Sequence, residues 1–322
     1  MKLLAAVTLW LLALGLAGYA LTSAPIEGII ATLRHLTPAQ LIALTALNAA
    51  IVCLFALRWW LLLRQAGHRL PFFAAVRYRL TAFGVSYFTP GPQFGGEPVQ
   101  VLAVTQRHGV PPAAALSALS LDKVLELLAN FTFLALGALL IAGRMSLSPR
   151  LVIGALLLAA LPWGYLLGLY LGARPLSALS AHAPRGIARL TAVIQQSETE
   201  IARFCRRQPL ALSGLMLLSA LVWVALVGEY ALMLRFLGAP LSGRQVLTFM
   251  VAARLAFLTP LPGGLGALEA GQVLAAEMLG LNSALGLSVG LLIRARDIAF
   301  GLLGLLGGGA LLGTSNSSPH DV

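Results

Sequence analysis

The chain has 322 residues, of which 59% are hydrophobic and only 10% are charged. Its long continuous apolar runs exclude a soluble globular domain, and because they do not alternate with a period of two they also exclude a membrane β-barrel. The net charge of +11 is explained by basic loops facing the cytoplasm. No basic patch is interleaved with aromatic residues, so no nucleic-acid partner is predicted. The composition therefore predicts an all-α polytopic membrane protein.

The first half of the chain contains three apolar runs of spanning length. Residues 3–21 form a run that is longer than the apolar part of a usual signal peptide, so we predict an uncleaved first span. A re-entrant hairpin from the cytoplasmic side is predicted at 71–108, and a third span at 112–142. The second span, at 41–63, ends in a basic cluster that marks its cytoplasmic end and consists of Arg58, Arg64 and Arg69.

The second half repeats this order of elements. A fourth span at 151–171 leads to a long arginine-rich segment that belongs on the cytoplasmic side. Within that segment, residues 187–204 form either an amphipathic helix on the anionic inner leaflet or an ordinary solvated connector. The remaining elements are a fifth span at 210–234, a second hairpin at 245–280, a sixth span at 285–312 and a polar, disordered tail at 314–322.

The two halves, residues 1–146 and 147–313, thus each contain three spans and one hairpin. Because three crossings are an odd number, the second half must lie upside down relative to the first, which is the inverted-topology repeat of several transporter folds. The predicted fold is therefore six spanning helices plus two helical hairpins, with both termini in the cytoplasm. Hydropathy leaves open whether the hairpins are re-entrant or consist of two tilted full spans.

Two related stretches break the predicted hairpins. Residues 88–100 read FTPGPQFGGEPVQ and residues 258–272 read LTPLPGGLGALEAGQ, so both contain Thr-Pro-x-Pro, a glycine pair and a glutamate. Prolines without an N–H and glycines with unusual φ/ψ break helices at membrane depth, and paired breaks in two halves point to a substrate site. The predicted break residues are Thr89, Pro90, Gly95, Gly96, Thr259, Pro260, Pro262, Gly263, Gly264 and Gly266.

Charged residues occupy matching places in the two halves, although each costs about 2.5 to 3.5 kcal/mol at the centre of a membrane helix. On the third span, Asp122 and Glu126 share a helix face, and Lys123 is placed to pair with Glu126. On the sixth span, Arg294 precedes Asp297 by three residues. These charges either line a substrate cavity or form ion pairs that hold two helices together, which we call locks between helices. The candidate substrate-binding residues are Arg79, Glu97, Asp122, Lys123, Glu126, Arg254, Glu269, Arg294, Arg296 and Asp297.

The residue types near the breaks indicate the chemistry of a ligand. An excess of arginine suits an anionic phosphate head group, because guanidinium forks match phosphate oxygens and half-helix N-termini supply free N–H donors. Carboxylates suit protons or cationic head groups. The glycines either let the backbone approach a ligand or allow close helix packing. Glu229 either forms an ion pair with a neighbouring arginine, as a lock between helices, or lines the cavity.

Because none of the common catalytic or nucleotide-binding motifs is present, we predict no enzyme, no cofactor and no metal site.

Three segments carry a resemblance to a known family: YRLTAFGVSYFTPGPQFGGEPVQVLAV, SLDKVLELLANF and FLTPLPGGLGALEAG. Together they resemble the lysylphosphatidylglycerol synthase transmembrane-region family, which is also called flippase-like. The most specific part is the PGGLG-x-x-E motif, here residues 262–266 with Glu269, and the Gly-Glu motif of the first half falls on Gly96 and Glu97. Where members commonly have a basic residue three positions after that glutamate, this chain has Gln100.

The resemblance covers nearly the whole chain and implies translocation of lipid between leaflets. It does not include the soluble aminoacyl-transferase domain of the synthases, so synthase activity is not expected. We therefore expect a transporter in the bacterial inner membrane that moves a polar or anionic lipid through a central polar cavity. Its partner would be a phospholipid, a glycolipid or an isoprenoid lipid. Two alternatives stay open, namely a non-transporting partner that docks or supplies a lipid-biosynthesis enzyme, and an ion or small-solute transporter.

Overall fold

The structure is a computed structural model that describes residues 26–34, 36–89, 95–142, 149–180, 188–259 and 261–312. These residues form helices joined by turns and short connections, and no strand occurs among them, which confirms the predicted all-α class. The predicted first span, the polar tail and the break residues Pro90 and Pro260 lie outside the described residues.

The described helices are numbered α1 to α12 in chain order. They are α1 (Ile26–Leu33), α2 (Pro38–Gln65), α3 (Phe72–Phe88), α4 (Glu97–His108), α5 (Pro112–Ala142), α6 (Pro149–Leu171), α7 (Pro175–Ser180), α8 (Ala188–Arg207), α9 (Pro209–Phe236), α10 (Gly243–Phe257), α11 (Ala267–Met278) and α12 (Ser283–Leu312). A 3₁₀ turn, Pro262–Gly264, lies between α10 and α11. Helices α2, α5, α6, α7 and α9 begin with proline, because its fixed φ and missing N–H suit the first helical position.

Four of the described helices, α2, α5, α6 and α9, are long and apolar enough to cross a membrane. Even the shortest of them, α6 with 23 residues, exceeds the hydrocarbon thickness of about 30 Å at 1.5 Å per residue. Helix α12 has 30 residues but carries Arg294, Arg296 and Asp297 near its middle, and it is not among the four. The chain is a multi-pass membrane protein, while the arrangement of six spans with two hairpins stays a prediction.

A helix is interrupted at both of the predicted breaks. Helix α3 ends before the first break and α4 begins after it, and α10 and α11 flank the second break in the same way. The threonine of each break bonds to the last turn of the preceding helix. Thr89 Oγ1 donates to the Val85 carbonyl at 2.9 Å, and Thr259 Oγ1 donates to the Ala256 carbonyl at 2.6 Å. Each hydroxyl thereby adds a second donor to a carbonyl that also accepts the backbone N–H of the same threonine.

The chain divides into two compact units, each of which draws on both predicted halves. The first unit consists of the described residues up to Val52, residues Arg77–Gln100 and the described residues from Ala225 onward. The second unit consists of Cys53–Val76 and Val101–Val224. The proposed boundary between the sequence halves, at residues 146 and 147, stays a prediction.

In the first unit, α12 packs against α1 and α11, and α11 packs against α10. Part of its core is a cluster of Val273, Ala284 and Leu287, against which Leu33 of α1 packs. The burial of these side chains at the junction of three helices holds α11, which follows the second break, against α12.

Helix α12 approaches α3 through glycines that leave no room for a side chain. An added Cβ on Gly304 would overlap the Leu80 carbonyl, and an added Cβ on Gly308 would overlap the Thr81 side chain. A third glycine of this face, Gly301, lies against α3 one turn earlier. For these positions the structure supports the close-packing alternative, which is typical of small residues between membrane helices.

In the second unit, α5 packs against α6 and α8, and α8 also packs against α6 and α7. Helix α8 is the predicted helix of residues 187–204, and one face of it is buried through Ile201, Ala202 and Cys205. Burial raises the pKa of the Cys205 thiol to about 11. Because α8 is folded against three helices of this unit, it is more than a solvated connector.

A buried carboxylate joins α8 to α7 and α6. Glu198 is 1% exposed and accepts hydrogen bonds from the backbone N–H of Leu176 at 2.9 Å and of Ser177 at 2.6 Å. The hydroxyl of Ser177 and that of Tyr165 also donate to it. The N–H groups in the first turn of a helix have no intrahelical acceptor. Glu198 therefore supplies the missing acceptor for two N–H groups in the first turn of α7.

The glycine contact between α12 and α3 generates a stability prediction. We expect Gly304→Ala to lower the free energy of unfolding by about 1 to 3 kcal/mol, because the new methyl group would overpack against the Leu80 backbone. The matched control is Gly164→Ala on α6, where an added Cβ has nothing within 4 Å, and it should be neutral or slightly stabilising. Thermal unfolding of the purified chain in detergent measures both. Equal midpoints for the two variants would contradict the close approach.

Candidate functional site

The second break is built from glycines in the left-handed region of φ. Gly263, Gly264 and Gly266 have φ values of 53°, 65° and 77°. Other residues adopt this region only at an energetic cost, so glycine is needed here for the turn itself. Gly263 also lies in close contact with other parts of the first unit, since an added Cβ would be 2.9 Å from the Tyr87 ring and 3.2 Å from Arg294.

A glutamate caps the helix that follows each break. Glu269, in the first turn of α11, accepts a hydrogen bond from the Gly266 N–H at 2.9 Å. Glu97, the first residue of α4, accepts one from the Gly95 N–H at 2.7 Å. A carboxylate near a helix N-terminus satisfies an unpaired N–H and is stabilised by the helix dipole. The two copies of the sequence motif thus share a local role for their glutamates.

Arg294 of α12 connects the second break to the end of α3. Its Nε and Nη2 donate to Glu269 Oε1 at 3.0 and 2.8 Å, and Nη2 also donates to Oε2 at 3.0 Å. Its Nη1 donates to the Gly263 carbonyl at 2.7 Å and to the Tyr87 hydroxyl at 3.0 Å. The side chains of Arg294 and Glu269 are 12% and 13% exposed, so this ion pair is largely but not completely buried.

A second polar cluster lies around Arg296, two residues further along α12. Arg296 donates to Glu229 of α9 and to Asp297 Oδ1, the latter at 2.8 Å, and Asn48 Oδ1 of α2 lies 3.4 Å from its Nη1. Arg254 of α10 is close enough to interact electrostatically with Glu229 and Asp297. Of the two alternatives for Glu229, the structure supports the lock to an arginine.

The charges of these two clusters balance within the described part of the first unit. The sequence suggested an arginine excess, because Arg294 and Arg296 outnumber Asp297 on their own helix. In the structure, Glu269 and Glu229 come from other helices and supply the missing carboxylates. A charged head group that binds here must therefore exchange with an existing partner rather than meet a free arginine.

In the second unit, Arg58 of α2 is paired with Asp122 of α5. Its Nε donates to Asp122 Oδ1 at 2.6 Å, its Nη2 to the Asp122 carbonyl at 3.2 Å and its Nη1 to the Ser219 hydroxyl at 3.1 Å. The side chains of Arg58 and Asp122 are 1% and 0% exposed. Glu126 lies at the margin of this group, 3.6 Å from Arg58 and 3.5 Å from Lys123. For Asp122 the geometry is that of a lock between helices.

This position of Arg58 corrects its assignment to the basic cluster at the cytoplasmic end of the second span. Arg64 of that cluster is exposed and lies over the Trp60 ring, whereas Arg58 is buried one to two turns earlier in α2. The physical reason is that Arg58 lies inside the apolar run, where it needs a carboxylate partner.

The structure distributes the predicted substrate-binding residues between the two units. Asp122, Lys123 and Glu126 belong to the second unit. The first unit contains the other members, which are Arg79, Glu97, Arg254, Glu269, Arg294, Arg296 and Asp297. In the first unit, Glu97, Glu269 and Arg294 contact glycines of the helix breaks, so the candidate site is the group around Arg294 and Glu269.

A family model described as the lysylphosphatidylglycerol synthase TM region matches residues 3–304. The chain belongs to this family. The match confirms the resemblance predicted from the two break motifs, and it agrees with a membrane protein of lipid-related function. No curated protein and no solved structure matches the chain.

In this member of the lysylphosphatidylglycerol synthase TM region family, sequence reasoning missed four residues of the polar clusters, namely Arg58, Ser219, Tyr87 and Asn48. Arg58 could have been found, because a charged residue inside an apolar run needs a partner of opposite charge. Tyr87, which accepts from Arg294, immediately precedes the first break, but a tyrosine there carries no distinctive pattern. Asn48, beside Arg296, is a single polar residue in an apolar run and likewise gave only a weak signal.

The lock between α2 and α5 generates a test by double substitution. We expect Arg58→Leu to destabilise the protein by about 3 to 5 kcal/mol, because it leaves the fully buried Asp122 carboxylate without its cation. Adding Asp122→Leu should recover most of that loss, since both charges are then removed. Thermal unfolding in detergent measures the stability of the native chain, the two single variants and the double variant.

The control for this cycle is Lys123→Gln on the same helix. Its ion pair with Glu126 is partly exposed, so we expect a change of about 0.5 kcal/mol or less. A double variant no more stable than Arg58→Leu alone would show that Arg58 and Asp122 are not coupled.

Proposed function

We propose that this protein is a lipid transporter of the bacterial inner membrane, which moves a lipid with a polar or anionic head group between leaflets. It would act without catalytic chemistry of its own and without a cofactor, and both termini would lie in the cytoplasm. Membership of the family supports a lipid-related function. Arg294 supports the location of the site, because it is bonded to the second break, to its capping glutamate and to Tyr87 beside the first break.

The chemistry of this site suits a phosphate. A guanidinium fork binds carboxylate and phosphate oxygens in the same bidentate way, so a head-group phosphate is able to replace Glu269 on Arg294 without leaving the arginine unpaired. The exchange also leaves the glutamate with a partner, because Glu269 keeps its bond to the Gly266 N–H at the start of α11. The arginine is thereby kept paired, while the Gly266 N–H offsets only part of the cost of the carboxylate that has lost its cation.

Protonation is the coupling event that this geometry favours. A proton on Glu269 would remove the charge that holds Arg294 and free the arginine for a head group. The candidate residues include two further carboxylates, Glu97 and Asp122. Asp122 is 0% exposed and bound to Arg58, whereas Glu269 is 13% exposed. Glu269 is therefore better placed than Asp122 to receive a proton from solvent. Transport would then be driven by a proton gradient or would run downhill.

Scrambling of labelled lipids in proteoliposomes tests the proposed function. Phospholipids and a glycolipid with fluorescent head groups are quenched from outside, so that label in the inner leaflet is lost only when lipid crosses. We expect Arg294→Gln to slow transport at least about tenfold, because it removes the charged hydrogen bonds available to a phosphate. The matched control is Arg244→Gln, which removes one exposed charge near the start of α10, and it should transport like the native chain.

Folding of each variant is checked by size-exclusion chromatography and circular dichroism before reconstitution. Native transport rates in Arg294→Gln would contradict the site. No transport of any lipid by the native chain would instead favour the non-transporting partner that docks a lipid-biosynthesis enzyme. Movement of an ion without lipid would favour the small-solute transporter.

A further inference from the structure

A pocket of about 550 Å³ lies in the second unit between α8, the end of α2 and the start of α5. Its volume is in the range of pockets that bind drug-sized ligands. Helix α8 lies in sequence between the candidate spans α6 and α9, and the pocket is lined by residues at the termini of two further candidate spans. Because spans end at the membrane surface, we expect the lining residues at these helix termini to lie near the depth of lipid head groups.

One wall of this pocket is cationic and the rest is mainly apolar. Arg203 and Arg207 are four residues apart on α8, so they lie on the same helix face, and both line the pocket. Within the described part of the chain, neither guanidinium is engaged in an ion pair. Phe204 and Ala114 contribute apolar surface to the pocket. A phosphate beside an apolar chain has the complementary pattern.

The single carboxylate among the described lining residues of the pocket does not neutralise these arginines. Glu200 accepts a hydrogen bond from the Ser117 hydroxyl at 2.6 Å, and no ion pair connects it to Arg203 or Arg207 among the described contacts. The described lining contains two arginines and one glutamate, so its formal charge is +1 when His68 is neutral. The Oε1 atom of Gln208, which also lines the pocket, is buried without a hydrogen-bond partner in the described residues. Such an acceptor calls for a donor from a ligand.

We propose that this pocket binds the head group of one acidic phospholipid from the surrounding leaflet, with its phosphate on Arg203 and Arg207. Basic pockets between membrane helices on the cytoplasmic side commonly bind anionic head groups in this way. The site shares no residue with the group around Arg294, so it is a resident lipid site in addition to the proposed transport site. The bound lipid would stabilise the packing of α8 against α5, because a ligand that binds only the folded state raises its stability.

Native mass spectrometry of the full chain, delipidated in detergent and titrated with phosphatidylglycerol, tests the proposal. In an Arg294→Gln background, which disables the proposed transport site, we expect one bound lipid, and at least about tenfold weaker binding when Arg203→Gln and Arg207→Gln are added, because both phosphate contacts are removed. The matched control is Arg206→Gln on the same helix, whose Nε donates to the Ala202 carbonyl and which does not line the pocket. It should bind like the native chain.

Two further arms distinguish a lipid site from a site for a small anion. Ala114→Phe fills the pocket without changing charge and should also abolish the bound lipid. Glycerol 3-phosphate, which has the anion without the acyl chains, should bind much more weakly than the lipid. Equal binding of phosphatidylcholine, equal loss in Arg206→Gln, undiminished binding in the double variant or full-strength binding of glycerol 3-phosphate would each overturn the proposal. Arg294→Gln should keep this lipid, so the outcome is independent of whether the protein transports.

Discussion

A charge buried at membrane depth must be paired, because an isolated guanidinium or carboxylate costs several kcal/mol there. This constraint connects the helices of each unit. In the first unit, Arg294 of α12 pairs with Glu269 of α11, and in the second, Arg58 of α2 pairs with Asp122 of α5. Neither pair lies within one helix. Each pair therefore connects two different helices, while apolar side chains fill the space between them.

The two break motifs combine a turn and a cap in one short sequence. The positive φ of Gly266 brings its N–H to the start of α11, where Glu269 accepts it. At the first break, Glu97 at the start of α4 accepts the N–H of Gly95, two residues before it, so the glutamate again bonds to a preceding glycine but with a different spacing. The glutamates thus stabilise the start of the helix that follows the glycines, apart from any role in binding. At the second break, the same carboxylate also pairs with Arg294, so local structure and the proposed site depend on one side chain.

The sequence predicted the helix breaks well and the pairing of charges poorly, for a physical reason. Proline and glycine change the conformation and hydrogen bonding of their own backbone, so the ends of α3 and α10 were predictable from a few residues. Ion pairs depend on helix neighbours that are distant in sequence. Glu269 lies 25 residues before Arg294, and Asp122 lies 64 residues after Arg58. Counting charges on one helix therefore indicated an arginine excess that tertiary structure removes. In the same way, Arg58 was assigned to the basic cluster at the cytoplasmic end of its span, because its partner lies on another helix.

The packing of α12 limits how the proposed transport site is able to work. Gly304 and Gly308 hold α12 against α3 with no space for a methyl group, and Arg294 lies on the same helix two to four turns earlier. Separating α12 from α3 would expose these backbone contacts, whereas changing the partner of Arg294 requires only side-chain movement. Because Tyr87 and the Gly263 carbonyl hold Nη1 independently of Glu269, the arginine stays in place during such an exchange. An ion-pair exchange at a fixed arginine is therefore the movement most compatible with this packing.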